Sequence, residues 1–405
     1  MNSKEIKTLD KNHVMQTYAR FDVAIDHGIG AKLYSPEGKE YIDFTSGLGV
    51  NSIGYGNESW AKVIYEQALK LQHTSNLYYT EPYVKLAKEL TTRSGMKNAF
   101  FANGGAEANE GMIKLARKYS FDKYGKGRST IISLKQSFHG RTITTLSATG
   151  QDVFHNYFFP FTEGFKFAEA NNLEALKNEL TKDVCAIMIE LVQGEGGVIP
   201  LDKTYVKDVA ALCDEHDLLL LIDEVQTGIG RTGTLFACKQ YRITPDVLSF
   251  AKGIAGGLPL GGILANTKCS DVFIPGTHAT TFGGNPVSAS AALEVLNQIN
   301  DDTLEEITKK GEYIKGTVKS WELPVVKEVR GLGLMIGIVL SNVAPREAAQ
   351  KCIDDGLLIL TAGPDALRIL PPLIISNKDI DKGLAILKNV LEGKTANEKR
   401  PDKTP

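Results

Sequence analysis

Three short apolar runs constrain this chain more than any other feature: VCAIMIE (184–190), LLLLIDE (218–224) and DVLSFAK (246–252). None alternates apolar with polar residues, and strands buried on both faces read this way. Helices fit between them, TYVKDVAALCDEH (204–216) being one, so the pattern predicts a mainly parallel sheet with right-handed crossovers. NAFFA (98–102) and STIISL (129–134) add two strands around a helix at 105–119, in which Met112, Leu115, Ala116 and Tyr119 share a face. The fold class is α/β. Near the N-terminus AKLYSPEGKEYIDFTSG predicts a hairpin turning at Pro-Glu-Gly, and 60–93 predicts helix. After Asn285-Pro286 the pattern changes to helix at 287–320, strands near 325–340, helix at 344–354, a strand near 367 and helix at 377–392, a second and smaller α+β domain. The expected boundaries are 61–285 for the large domain, 286–392 for the small one and 393–405 for a frayed polar tail.

Charge excludes some partners. Charged residues make up 23% of the chain and the formal net charge is −2, which gives no reason to expect nucleic acid or an anionic membrane. Five cysteines, an odd number with no Cys-x-x-Cys pair, argue against a disulfide framework and a thiolate metal site. No metal is expected. The opening MNSKEIKTLDKNH lacks the apolar stretch of a signal peptide, and the longest apolar runs, such as Leu332 to Leu340, fall short of the ~20 residues of a membrane span. A cytoplasmic chain is the expectation.

The buried runs end in ionisable groups: Glu190, then Asp223 with Glu224, then Lys252. In open α/β sheets ligands bind beyond the carboxyl ends of the strands. Taken singly, each of these charges reads as well as a structural ion or a strand end entering solvent. Taken together, beside clustered glycines, they point to one site. A lysine in an apolar setting loses its charge easily and can form a Schiff base. An aspartate suits the pyridine nitrogen of pyridoxal 5'-phosphate, whose protonated ring acts as an electron sink. The phosphate needs a helix N-terminus, and Gly104-Gly105-Ala106 offers one, although an ordinary glycine turn fits those three residues equally well. A competing motif, Gly228-Ile229-Gly230-Arg231-Thr232-Gly233, matches the dinucleotide-binding pattern of nicotinamide oxidoreductases. No long amphipathic helix opens there, and the next acid, Asp246, begins a strand where the ribose-binding acid should end one.

FFANGGAEANE (100–110), FHGRT (138–142), ELVQGEGGV (190–198), LLLLIDEVQTGIGRTG (218–233), SFAKGIAGGLPLGG (249–262) and HATTFGGNP (278–286) together resemble the class III aminotransferases, in order and spacing along nearly the whole chain. The resemblance implies a fold type I pyridoxal-phosphate enzyme whose N-terminal segment 1–60 joins the small domain. It implies a homodimer with shared active sites, acting on a small-molecule amino donor and 2-oxoglutarate. The donor that it favours is N²-acetylornithine, with ornithine, succinylornithine and 4-aminobutyrate as alternatives. By the same resemblance Lys252 is the Schiff-base lysine, Asp223 meets the pyridine nitrogen and Gln226 lies near the phenolic oxygen. Phe138 covers the ring, Gly104, Gly105 and Ala106 form the phosphate cradle, and Thr281 reaches the phosphate of the neighbouring subunit. Arg141 takes the donor α-carboxylate. Arg368 takes that of 2-oxoglutarate, and Glu190 pairs with Arg368 while the donor is bound. Three positions depart from the usual pattern: Gly104 stands in place of serine, Leu191 in place of proline, and Tyr55-Gly56-Asn57-Glu58 in place of His-x-His-Pro.

Overall fold

Strands without alternation must bury both faces, and here they do. In the computed structural model, which describes residues 1–394, seven strands form one sheet. In chain order they are β1 (Asn98–Ala102), β2 (Thr130–Leu134), β3 (Phe165–Ala168), β4 (Val184–Glu190), β5 (Leu219–Asp223), β6 (Val247–Phe250) and β7 (Gly261–Ala265). Their spatial order is β1-β7-β6-β5-β4-β2-β3. β7 is antiparallel to both neighbours, and the other pairings are parallel. Every residue of β2, β4 and β5 is buried.

Successive residues divide between two helical layers. Met188, Leu219 and Leu221 pack with Ala108, Met112 and Leu115 of helix Gly105–Tyr124. Ile187, Ile189, Leu220 and Ile222 belong to the opposite core with Val206 and Val209 of helix Lys203–Glu215. Each fully buried aliphatic side chain is worth about 1.5–3 kcal/mol against leaving it in water. β3 and β7 are absent from the sequence-based assignment. β7 lies in the glycine-rich stretch GLPLGGILA, where glycines mask a strand, and β3 is four residues long.

The predicted hairpin forms, with Lys32–Tyr34 antiparallel to Glu40–Asp43. Glu40–Asp43 in turn pairs in parallel with Leu357–Leu358, so the N-terminal segment shares a sheet with the C-terminal third of the chain. Val326–Leu332, Met335–Leu340, Ala366–Ile369 and Leu360–Ala362 make a separate antiparallel sheet. The helical stretch expected over 60–93 is two helices, Glu58–Lys70 and Glu81–Ser94, the second opened by Pro82 in its first turn. Likewise 287–320 divides into Pro286–Gln298 and Asp301–Ser320, with Asn300 capping the latter. Of the expected tail, residues 395–405 lie outside the described residues. All five cysteines are buried and unpaired. Among the described residues no helix is long and apolar enough to cross a membrane.

The Gly228–Gly233 loop opens no helix. Its Arg231 is buried instead and donates to the carbonyls of Leu334 (3.0 Å) and Pro371 (2.6 Å) and to Ser46 Oγ (3.3 Å). Burial pushes its guanidinium down to about 9. This loop is a strut between the large sheet and the segments on either side of it. The departing segment at Tyr55 is structural too: Tyr55 hydroxyl donates to buried Asp43 (2.8 Å) and Asn57 caps helix Glu58–Lys70. Arg231→Met leaves those buried carbonyls without a donor and should cost about 2 kcal/mol or more. Chemical denaturation measures this, and a loss below about 0.5 kcal/mol, the range of ordinary surface changes, would contradict the strut.

Candidate active site

β4 and β5 run in register, so Glu190 and Asp223 are direct neighbours at their carboxyl ends, with Ser249 beside Asp223 on β6. Two residues past β6 the chain enters a short turn, Lys252–Ala255, and Lys252 itself takes a left-handed conformation with φ 46°. That backbone is costly for a residue with a side chain, and such strain concentrates at working sites. The three groups line one cavity of about 210 Å³, together with Gly105, Ala106, Asn109, Phe138, His139, Glu195, Val225 and Gln226. Glu224, next to Asp223, points the other way and accepts from the amides of Ala237 and Cys238.

Seven of the residues expected from the sequence therefore meet: Gly105, Ala106, Phe138, Glu190, Asp223, Gln226 and Lys252. Arg368 joins them through hydrogen bonds to Glu195 (2.6 Å) and Gln226 (3.3 Å). Gly104 precedes the helix, and a Cβ built there meets nothing within 4 Å, so the missing serine is not a steric matter. Arg141 is exposed, with its guanidinium over the Phe138 ring at 5.5 Å. Thr281 is exposed and outside this cavity.

One expectation is corrected. Arg368 pairs with Glu195, not with Glu190. Glu190 ends a buried strand and its Oε2 accepts the Phe138 amide at 3.0 Å, whereas Glu195 lies five residues on, past the strand, with about a third of its side chain exposed. Both glutamates stand in ELVQGEGG, and nothing in their spacing says which one faces an arginine 173 positions away.

Charge in the cavity is managed by neighbours. Burial raises the Asp223 carboxyl, but His139 Nδ1 at 2.8 Å, the Val225 amide and Asn109 Nδ2 together outweigh it, so Asp223 lies below its ordinary value. Glu190 goes the other way: burial, opposed by His139 and reinforced by Asp223, pushes it up to about 7. Burial lowers the Lys252 ammonium. Glu195 is pushed up by burial and brought below its usual range by Arg368. His139, Asn109 and Glu195 escaped the sequence reading, although each sits inside a quoted motif. Asn109 is a polar side chain on the buried face of its helix, as is Ser120, and nothing in the sequence marks which of the two faces a site.

A pyridoxal phosphate fits these residues. Helix Gly105–Tyr124 carries no side-chain cap, so its first amides are free to face an anion, and Gly105 and Ala106 line the cavity. Gly105 packs so close to Val225 that a Cβ would lie 2.7 Å from Cγ1. An ionised aspartate suits a protonated pyridine nitrogen, and a lysine with a lowered pKa suits a carbonyl carbon.

The Glu190 shift carries a sign. Folded Glu190 holds a proton that the unfolded chain has already released, so this contribution to stability is full below about pH 4.5 and is lost as pH rises through about 7. Glu190→Gln cannot ionise. Between about pH 5 and 7.5, thermal unfolding of the cofactor-free variant should decline less steeply than that of the parent. Parallel profiles would show that Glu190 is ionised throughout.

Known proteins resemble this chain along nearly its whole length. Residues 14–391 match the family described as "Aminotransferase class-III". Over 395 residues the chain is 52% identical to acetylornithine aminotransferase of Haemophilus ducreyi, covering 96% of this chain and 99% of that one. Among solved structures, the ornithine aminotransferase of Toxoplasma gondii superposes with a TM-score of 0.93 at 28% identity, over 99% of this chain and 97% of that one. Crystals of that enzyme grown with oxidised glutathione hold PLP at partial occupancy in the active site. N-acetylornithine aminotransferase of Stenotrophomonas maltophilia superposes with a TM-score of 0.82 at 34% identity, over 95% of this chain and 98% of that one. With the family matched along almost its full length and the lysine, aspartate and helix N-terminus gathered in one cavity, this chain belongs to the class III aminotransferases, enzymes that work with pyridoxal 5'-phosphate.

Proposed function

We propose that this chain transfers the distal amine of N²-acetylornithine to 2-oxoglutarate, giving N-acetylglutamate 5-semialdehyde and glutamate, a cytoplasmic step of arginine biosynthesis. The observation that carries this reading is the Arg368–Glu195 pair beside Lys252. The two substrates differ next to the reacting carbon: the donor has only methylenes there, and the keto acid has a carboxylate. A neutralised Arg368 accepts the first, and a freed Arg368 binds the second bidentately. Arg368 is 2% exposed and Glu195 34%, so the glutamate is the partner with room to swing away. The N-acetyl donor is preferred because acetylornithine is in the name of the curated relative described above, 52% identical over 395 residues.

Bound in this cavity, pyridoxal phosphate supplies a ring that stores the electron pair left when the donor carbon loses its proton. Lys252 Nζ takes that proton and returns it, which its lowered pKa favours near neutral pH. The Asp223 carboxylate, kept ionised with the help of His139, would hold a proton on the ring nitrogen. The amides of Gly105 and Ala106, with Gly104 ahead of them, hold the phosphate. Phe138 covers one ring face, and Gln226 stands near the phenolic oxygen. Arg141 takes the donor α-carboxylate at the cavity mouth. Thr281, exposed on this chain, reaches the phosphate of a second copy, so the working unit is a homodimer with shared sites. Residues 1–60 belong in this reading with 286–392, on the strength of the Glu40–Asp43 pairing with Leu357–Leu358.

Two measurements test this. With 2-oxoglutarate as acceptor, kcat/KM for N²-acetylornithine should exceed that for ornithine and 4-aminobutyrate by about tenfold or more, about 1.4 kcal/mol of discrimination; a preference for free ornithine would reassign the donor. Arg368→Ala should slow the 2-oxoglutarate half-reaction at least about tenfold more than the donor half-reaction. Single-turnover rates read both halves, and equal losses would mean that the two carboxylate clamps are wrongly assigned.

A further inference from the structure

Arg141, which lies over the cavity-lining Phe138, does not stand alone. Its guanidinium lies 4.0 Å from the centroid of the Phe154 ring, closer than to Phe138 at 5.5 Å, and the two rings meet edge to face at 5.9 Å and 76°. Phe154 ends a single helical turn, Asp152–Phe154, and the segment around it is pinned from both sides. Gln151 Nε2 donates to the Ser137 carbonyl (3.0 Å) and His155 Nε2 lies 2.9 Å from the Leu146 carbonyl. Among the described residues Arg141 has neither hydrogen bond nor ion pair. A cation held over aromatic rings keeps its N–H donors free of protein acceptors, so they stay available to a carboxylate while the rings limit the side chain's freedom.

We propose that Phe154 is a positioning residue that holds Arg141 in its carboxylate-binding orientation, and so sets the affinity of the site for substrates carrying a carboxylate remote from the reacting amine. This rests on the role of Arg141 given under Proposed function. Phe154 touches Arg141 and Phe138, and its effect reaches the substrate through the guanidinium.

The test compares N²-acetylornithine with N-acetylputrescine, the same donor without its carboxylate, on the holoenzyme. Phe154→Leu should raise KM for N²-acetylornithine about two- to fivefold, the range expected for an exposed cation–aromatic contact, with kcat changed by less than about twofold. Phe154→Tyr, which restores the ring, should restore KM. N-acetylputrescine should show the same kcat/KM in all three proteins. Calorimetric Kd values for N-acetylnorvaline, which keeps the carboxylate and lacks the reacting amine, should rise by the same factor in the leucine variant and recover in the tyrosine variant. Equal losses with both donors, or an unchanged Kd for N-acetylnorvaline, would overturn the proposal. Arg141→Lys separates the two layers of inference. If it discriminates between the donors while Phe154→Leu does not, only the role of Phe154 falls. If it does not discriminate, the carboxylate clamp falls and the role of Phe154 with it.

Discussion

The in-register pairing of β4 with β5 is the constraint on which the rest depends. It sets two carboxylates side by side at the edge of a buried sheet, Glu190 against Asp223, with 7% and 4% of their surfaces exposed. Two buried like charges at that separation cannot both be kept cheaply. The fold resolves this by unequal treatment. His139 and Asn109 lean on Asp223 and keep it ionised, while Glu190 is left with one backbone amide and drifts towards neutrality. One strand edge thus presents a fixed negative charge and an acid that still holds much of its proton near neutral pH, and the strained turn after β6 brings an amine with a lowered pKa to the same cavity.

Further out, the same economy of charge recurs at lower cost. Arg368 is almost fully buried and keeps Nε without a partner, yet its charge is met by Glu195, which retains contact with solvent. A pair with one buried and one half-solvated member opens at less expense than a pair buried on both sides, because the departing carboxylate is rehydrated. Arg231 is the contrasting case: its acceptors are backbone carbonyls and a serine hydroxyl, which hold it as a fixed strut between distant segments. Two buried arginines therefore serve opposite ends, and their partners distinguish them.

Much of the fold was legible because burial on both faces leaves a plain mark on a strand. Val184–Glu190 and Leu219–Asp223 could be placed within a residue or two, and so could the start of the helix that opens at Gly105, which runs to Tyr124 and not to the expected 119. β7 was hidden because two glycines in five residues imitate a loop, and its antiparallel direction is a property of the sheet and not of the segment. In the site, Lys252 and Asp223 announced themselves as charges ending apolar runs. His139 and Asn109 did not, since a polar residue in a loop or on a helix face shows its partner only once the chain is folded. Glu190 and Glu195 illustrate the limit best: a local pattern named the motif, and only the tertiary contact with Arg368 separated a strand-end acid from the arginine's partner.

The most direct test of the central claim is a crystal structure of the protein loaded with pyridoxal 5'-phosphate. The account predicts electron density continuous with Lys252 Nζ, the ring nitrogen within hydrogen-bond distance of the Asp223 carboxylate, and the phosphate against the amides of Gly105 and Ala106. Cofactor density joined to another lysine, or a ring whose nitrogen faces away from Asp223, would contradict it.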